Sequence, residues 1–190
     1  EFTLNTNVSI ANAIRRILLS EIPVIGCITF PHNKNQCIIT KNTTRFTNEM
    51  IKQRISCIPI HIVPGSIELD NLEVRCKKEN KTKSITYVTS EDFKLYDIET
   101  NKEVKLDEPV FPPDPITGDY CDLVRLRPEI NDIMIGEELE LSFKLSITNA
   151  KENGCFNAVS KATYKNTENI ADATVAWNEY SKNNKQLTEI

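Results

Sequence analysis

The sequence predicts an α+β fold, with helices first and strands after. Three features carry this reading. Apolar residues at Ile10, Ile14, Ile17 and Leu18 recur at helical spacing, and Ile51, Ile55 and Ile58 repeat the pattern. From Gly65 onward, short β-branched and aromatic runs alternate with polar turns. The chain has 190 residues and a mass of 21.6 kDa, enough for one domain or two small ones, with no internal repeat to suggest a solenoid.

The first element is a helix from about Val8 to Glu21. Asn7 or Ser9 can accept from its free N–H groups, Ala11 and Ala13 allow close approach of another helix, and Pro23 marks its stop. Arg15 and Arg16 are adjacent and so project about 100° apart, which takes at least one of them off the apolar stripe. Two β-type runs follow, Val24 to Phe30 and Gln36 to Thr40, joined by residues 31–35 as a hairpin loop. A second helix spans about Asn48 to Cys57. Thr47 is its expected N-cap, Phe46 and Ile51 its hydrophobic staple, and Glu49 suits the helix dipole. Pro59 ends it, and Ile60 to Val63 reads as a strand.

The β-rich region contains expected strands at Ser66–Leu69, Leu72–Cys76, Ser84–Thr89, Leu123–Leu126, Glu138–Ile147 and Ala158–Tyr164. Lys77 to Lys83 reads as a charged hairpin tip, and the four prolines between Pro109 and Pro115 exclude a central strand there. The polar end carries one helix around Ile170 to Tyr180. The domain reading is therefore 1–65, a β-rich insert at 66–164, and a polar connector at 165–190.

Composition narrows the function classes. Apolar residues make up 39% and charged residues 26%, ordinary values for a water-soluble chain, and no apolar run approaches the roughly 20 residues of a spanning helix. No signal-peptide pattern is read at the start. Net charge is −4, with a mild basic excess in residues 1–65 and an acidic remainder. A sequence-specific DNA reader needs a basic stripe, so none is expected. The six cysteines form no CxxC or CxH pair, so no zinc or iron–sulfur set is expected, and the thiols are expected reduced and mostly buried. His61, four residues after Cys57, permits a thiol–imidazole pair, and Asp119 and Asp122 loosely suggest a metal loop. The chemistry-bearing alternative is a thiol-dependent enzyme using Cys57 or Cys155.

A longer string is more specific than any of these. Ala11-Asn12-Ala13-Ile14-Arg15-Arg16-Ile17-Leu18-Leu19-Ser20-Glu21-Ile22-Pro23 resembles the signature helix of the alpha-like subunits of DNA-directed RNA polymerase. That family includes the bacterial alpha N-terminal domain, its archaeal counterpart and the third-largest subunit of eukaryotic polymerase II. Gln53-Arg54-Ile55-Ser56-Cys57-Ile58-Pro59-Ile60 resembles an H-R-L-x-x-I-P-L segment of the archaeal and eukaryotic branch. Val88 to Lys94 resembles the V-x-S-x-D-L-K strand end of that branch. Leu126-Arg127-Pro128, then Gly136 to Leu141, resembles its L-R-x-G-Q-E-L-E-L strand. The family's G-x-x-H-A-K-W-x-P-V run is replaced near Gly154 to Ser160, in a form similar to versions in large DNA viruses.

The resemblance implies a discontinuous helix-and-sheet dimerisation domain with an inserted, mostly β second domain. It implies a non-catalytic assembly subunit, intracellular in nucleus or cytoplasm, or in a virion if viral. Such a subunit pairs with a smaller alpha-like subunit and docks the second-largest polymerase subunit before the largest joins. No cofactor or metal is implied, and no membrane. The expected pairing surface is Ile10, Ile14, Ile17, Ile51, Ile55 and Ile58, shared with the domain's own sheet, and the expected docking residues are Arg15 and Arg16. In the family the first domain resumes after the insert with a strand and a long helix, a return not read before Ile190.

Overall fold

A computed structural model describes residues 2–129 and 135–183. The elements run α1 (Val8–Ser20), β1 (Val24–Gly26), β2 (Cys37–Asn42), α2 (Asn48–Ser56), β3 (Leu72–Glu79), β4 (Thr86–Thr89), β5 (Lys94–Asp97), β6 (Asp122–Leu126), β7 (Glu138–Lys144), β8 (Ser146–Thr148) and α3 (Ile170–Asn183). Mixed helices and antiparallel sheets make this an α+β fold. Two compact units are distinguished, one from the described parts of residues 1–15 and 162–190, the other from residues 16–161.

The larger unit is built on a four-stranded sheet in the order β2-β7-β3-β5, with two-stranded pairs β1-β8 and β4-β6. Alternation decides its faces. Leu72, Val74 and Cys76 of β3 are buried beside Leu139, Leu141 and Phe143 of β7 and Leu95 of β5. The opposite face carries Lys77 across from Glu140, with Nζ 2.7 Å from the carboxylate, and Lys41 is ion-paired with Glu138. The core gains an aromatic centre where Phe93 meets Phe111 and Phe143 edge-on, with centroids 5.3 and 5.6 Å apart. Helix α2 closes onto this unit with Ile51 and Ile55, both buried. Burying each is worth about 1.5–3 kcal/mol.

The smaller unit holds α3. Its start is capped reciprocally: the Asn169 side chain accepts from the Asp172 N–H at 3.4 Å and donates to the Asp172 carboxylate at 2.6 Å. Trp177 and Tyr180 stack along the helix with centroids 6.1 Å apart. Residues 184–190, the end of the expected connector, lie outside the described residues.

Several local expectations give way to non-local pairing. β1 and β2 do not form a hairpin with each other; β1 pairs with β8 and β2 with β7. One backbone bond, from the Gln36 N–H to the Ile28 carbonyl at 2.8 Å, links the two stretches, and residues 32–34 form a 3-10 turn between them. Lys77 and Lys78 are not a hairpin tip, because β3 runs on to Glu79 and pairs with β7 from Glu73 to Glu79. Residues 60–63, 66–69 and 158–164 form no strand. The apolar side chains of the first two runs are used in packing instead: Ile62 and Leu69 are buried, with Ile60 and Ile67 against the core. The expected single strand from Glu138 to Ile147 is split at Leu145 into β7 and β8, which serve different sheets. β5 is an unexpected strand. The reading that divides the chain at residue 65 meets a sheet in which β2 lies beside β7.

Candidate functional site

Helix α1 carries the longest string of the resemblance. Asn7 starts it, its side-chain oxygen accepting from the Ser9 N–H at 3.0 Å and its carbonyl from the Ile10 N–H. The Ser20 hydroxyl donates to the Arg16 carbonyl at the other end. None of its residues is fully buried. Ile10 is 51% exposed and Ile17 53%, while Ile14 and Leu18 are half-buried. Arg15 is half-buried and its Nε donates to the Asn12 side chain at 3.1 Å, so two members of the string hold each other one turn apart. Arg16 is exposed.

Helix α2 uses its stripe differently. Thr47 caps it, accepting from the Met50 N–H at 3.4 Å. Ile51 and Ile55 point into the core of their own unit, and Ile58 packs against that core half-buried. Arg54 reaches across to β6, donating from Nε to the Leu123 carbonyl at 2.6 Å and from a terminal nitrogen to the Asp122 carbonyl at 2.9 Å. Its guanidinium also lies over the Phe46 ring, 5.6 Å from the centroid. The arginine of the second resembling segment is thus a clamp between α2 and β6.

The other two segments also turn out to hold the fold. In Val88 to Lys94, buried Ser90 exchanges bonds with Cys121: its N–H donates to the Cys121 carbonyl and its hydroxyl accepts from the Cys121 N–H. Asp92 closes a capping box with Thr89 and accepts from Lys78 through both oxygens, at 2.8 and 2.7 Å. Phe93 enters the aromatic centre. In the stretch after Leu126, Glu137 is buried; its carboxylate accepts from the Arg127 backbone N–H at 2.8 Å and from the Arg127 guanidinium. Asn80, 1% exposed, ties this joint to β3 and β4, donating to the Ser84 and Leu126 carbonyls while its oxygen accepts from Thr82. A Cβ at Gly136 would lie 1.8 Å from the Asn80 carbonyl oxygen, so only glycine fits there. Sequence reasoning missed Asn80 as a joint, since it reads as one polar residue in a charged run. Gly136 and Glu137 stood in a resembling stretch, but their role needs the partner strand.

The thiols divide. Cys27, Cys37 and Cys76 are buried, Cys57 and Cys121 exposed, and Cys155 half-buried, so burial holds for three of the six. Burial pushes the Cys37 thiol up to about 11 and the Cys76 thiol up to about 12. Burial also pushes Cys155 up, with a smaller contribution from Cys57. That direction opposes the thiolate a nucleophile needs. His61 is exposed, and its backbone N–H donates to the Val110 carbonyl; no hydrogen bond joins it to Cys57. Among the described residues, no group of three or more His, Cys, Asp or Glu side chains is placed to hold a metal ion.

No model of a protein family matches the chain. It is 27% identical over 177 residues to the Bos taurus protein called DNA-directed RNA polymerases I and III subunit RPAC1, a match covering 83% of this chain and 47% of that protein. The Homo sapiens protein of the same name is 27% identical over 180 residues and the Mus musculus one 26% over 178, with the same coverage. The chain spans about half the length of the curated relatives it matches. Over most of its own length, this chain is similar to these RNA polymerase subunits, in line with the resemblance to the alpha-like family.

Proposed function

We propose that this chain is a non-catalytic assembly subunit of a multisubunit DNA-directed RNA polymerase, working inside the cell in nucleus or cytoplasm. It pairs through α1 with a smaller alpha-like subunit, and the pair then docks the second-largest subunit through Arg15 and Arg16. The observation that carries the reading is α1 itself. The helix bearing the signature string has a clear apolar stripe, yet it buries none of its residues fully and leaves Ile10 and Ile17 about half exposed. An amphipathic helix with an open apolar face gains stability by burying that face against another surface. Ile51 and Ile55, expected on the pairing surface, are instead buried in the core of their own unit, with Ile58 half-buried against it, so the proposed pairing surface rests on Ile10, Ile14 and Ile17.

The test is pairing. Ile14→Asp puts a charge in the middle of the stripe, at a half-buried site of a helix with no fully buried residue. The variant should fold as the parent does by circular dichroism and should fail to co-elute with an alpha-like partner on size exclusion. Co-elution at parental yield would refute the pairing role of α1.

A further inference from the structure

Two clefts in the larger unit meet at one residue. The first, of about 510 Å³, is lined mainly by Phe46, Met50, Ile58, Cys57 and Cys121, with Gln53 and Arg54 among its polar residues. The second, of about 520 Å³, is lined by Tyr87, Tyr120, Glu91 and Asp119. Asp122, at the start of β6, lines both. The clefts differ in chemistry and adjoin.

The second cleft carries three carboxylates, Glu91, Asp119 and Asp122, and no Lys or Arg lines it. Among the described residues, none of these carboxylates has a cation within ion-pairing distance, although Lys78, Lys41 and Lys77 are all paired with other acids. The Tyr87 and Tyr120 rings supply aromatic faces of the kind that hold a cation. The floor is fixed. Arg54 is spent on the carbonyls of Leu123 and Asp122, and Ser90 is bonded to Cys121 on both sides. Beside the clefts, β4 pairs only with β6 among the described residues, and its Tyr87 is exposed.

From these features we infer that the joined clefts are the docking site for an extended segment of a partner protein that carries a Lys or Arg close to a large apolar side chain. The apolar side chain fills the Met50 and Phe46 cleft. The basic one enters between Tyr87 and Tyr120 and meets the carboxylates. Charge complementarity selects this occupant: a nucleic acid or an acidic segment would be repelled by the same three groups. The site shares no residue with α1, so it can be tested independently of the pairing proposed above.

The experiment places p-benzoylphenylalanine at Tyr87, which is 49% exposed, in the full chain purified with its native partners, and irradiates it. The crosslinked segment is sequenced by mass spectrometry. One protein segment should be captured, with a Lys or Arg within two residues of a large apolar side chain. Glu91→Lys combined with Asp119→Lys should lower its yield at least tenfold. The thermal midpoint should be unchanged, because among the described residues neither carboxylate is hydrogen-bonded or ion-paired. No crosslink, a crosslink to nucleic acid or to an acidic segment, or an equal yield from the charge-reversed variant would each overturn the inference.

Discussion

Helices α1 and α2 begin from the same kind of sequence and end in opposite environments. Each has isoleucines at helical spacing and a polar N-cap residue ahead of it. In α2, Ile51 is 0% exposed and Ile55 2%, Thr47 closes the start and Arg54 is bonded to two carbonyls of β6. In α1, no residue is fully buried, and Arg15 is bonded one turn back to Asn12. Periodicity thus marks a face that needs burying without saying what buries it. In α2 the chain's own sheet does so; in α1 Ile14 and Leu18 are half-buried while Ile10 and Ile17 stay about half exposed.

The comparison can be broken most directly by truncating one isoleucine on each helix. Ile51→Ala should cost about 2–5 kcal/mol of stability, since it leaves a cavity in a filled core. Ile10→Ala should stay within about 0.5 kcal/mol, as surface changes do. Urea denaturation of both variants measures this. Equal losses would mean that α1 is as much a part of the core as α2.

Binding sharpens the same contrast. Arg15→Ala with Arg16→Ala should leave the fold and the alpha-like pairing intact. Docking of the second-largest subunit should weaken by about 30- to 1000-fold, the range for removing an interfacial arginine anchor. A pull-down by the preformed pair across a salt series reads this out. Equal recovery at every salt concentration would return both arginines to ordinary solvated surface.

A smaller effect is expected at the joint of β3, β4, β6 and β7. Asn80→Ala removes a buried amide and strands the carbonyls of Ser84 and Leu126, at a cost of about 1–3 kcal/mol. Pairing through α1 should be unaffected, which separates a residue that holds the fold from one that serves assembly. Chemical denaturation combined with the co-elution assay would show any coupling between the two.

A further expected effect is alkaline. The Cys37 and Cys76 thiols are raised by burial from an ordinary value of 9.0 to about 11 and about 12. The folded protein therefore holds these protons more tightly than the unfolded chain. Their contribution is complete below pH 9 and is lost as the pH climbs toward 11 and 12, by on the order of 1 kcal/mol per pH unit and thiol. Stability measured from pH 8 to 11 should fall more steeply in the parent than in Cys37→Ala. Parallel slopes would show that Cys37 does not contribute.

Much of this architecture is legible along the chain, because helix signals are local. The stripe, the Thr47 cap, the stop near Pro23 and the period-2 runs that became β3 and β7 rest on contacts within a few residues. The candidate site was legible in part, since the α1 string and its arginines stand out before any geometry is known. Strand partnership was not legible. That β1 joins β8 across more than a hundred residues, and that Ile62 packs in the core without a strand around it, depends on which surfaces are free once the sheet has closed. The same holds for Asn80, Gly136 and Glu137, whose roles exist only where the ends of β3, β4, β6 and β7 converge. A residue's backbone preference is written in its neighbours along the chain. Its burial and bonding partners follow from the competition of distant segments for one limited interior, so Ile51 became core while Ile10, with the same side chain on a similar stripe, remained at the surface.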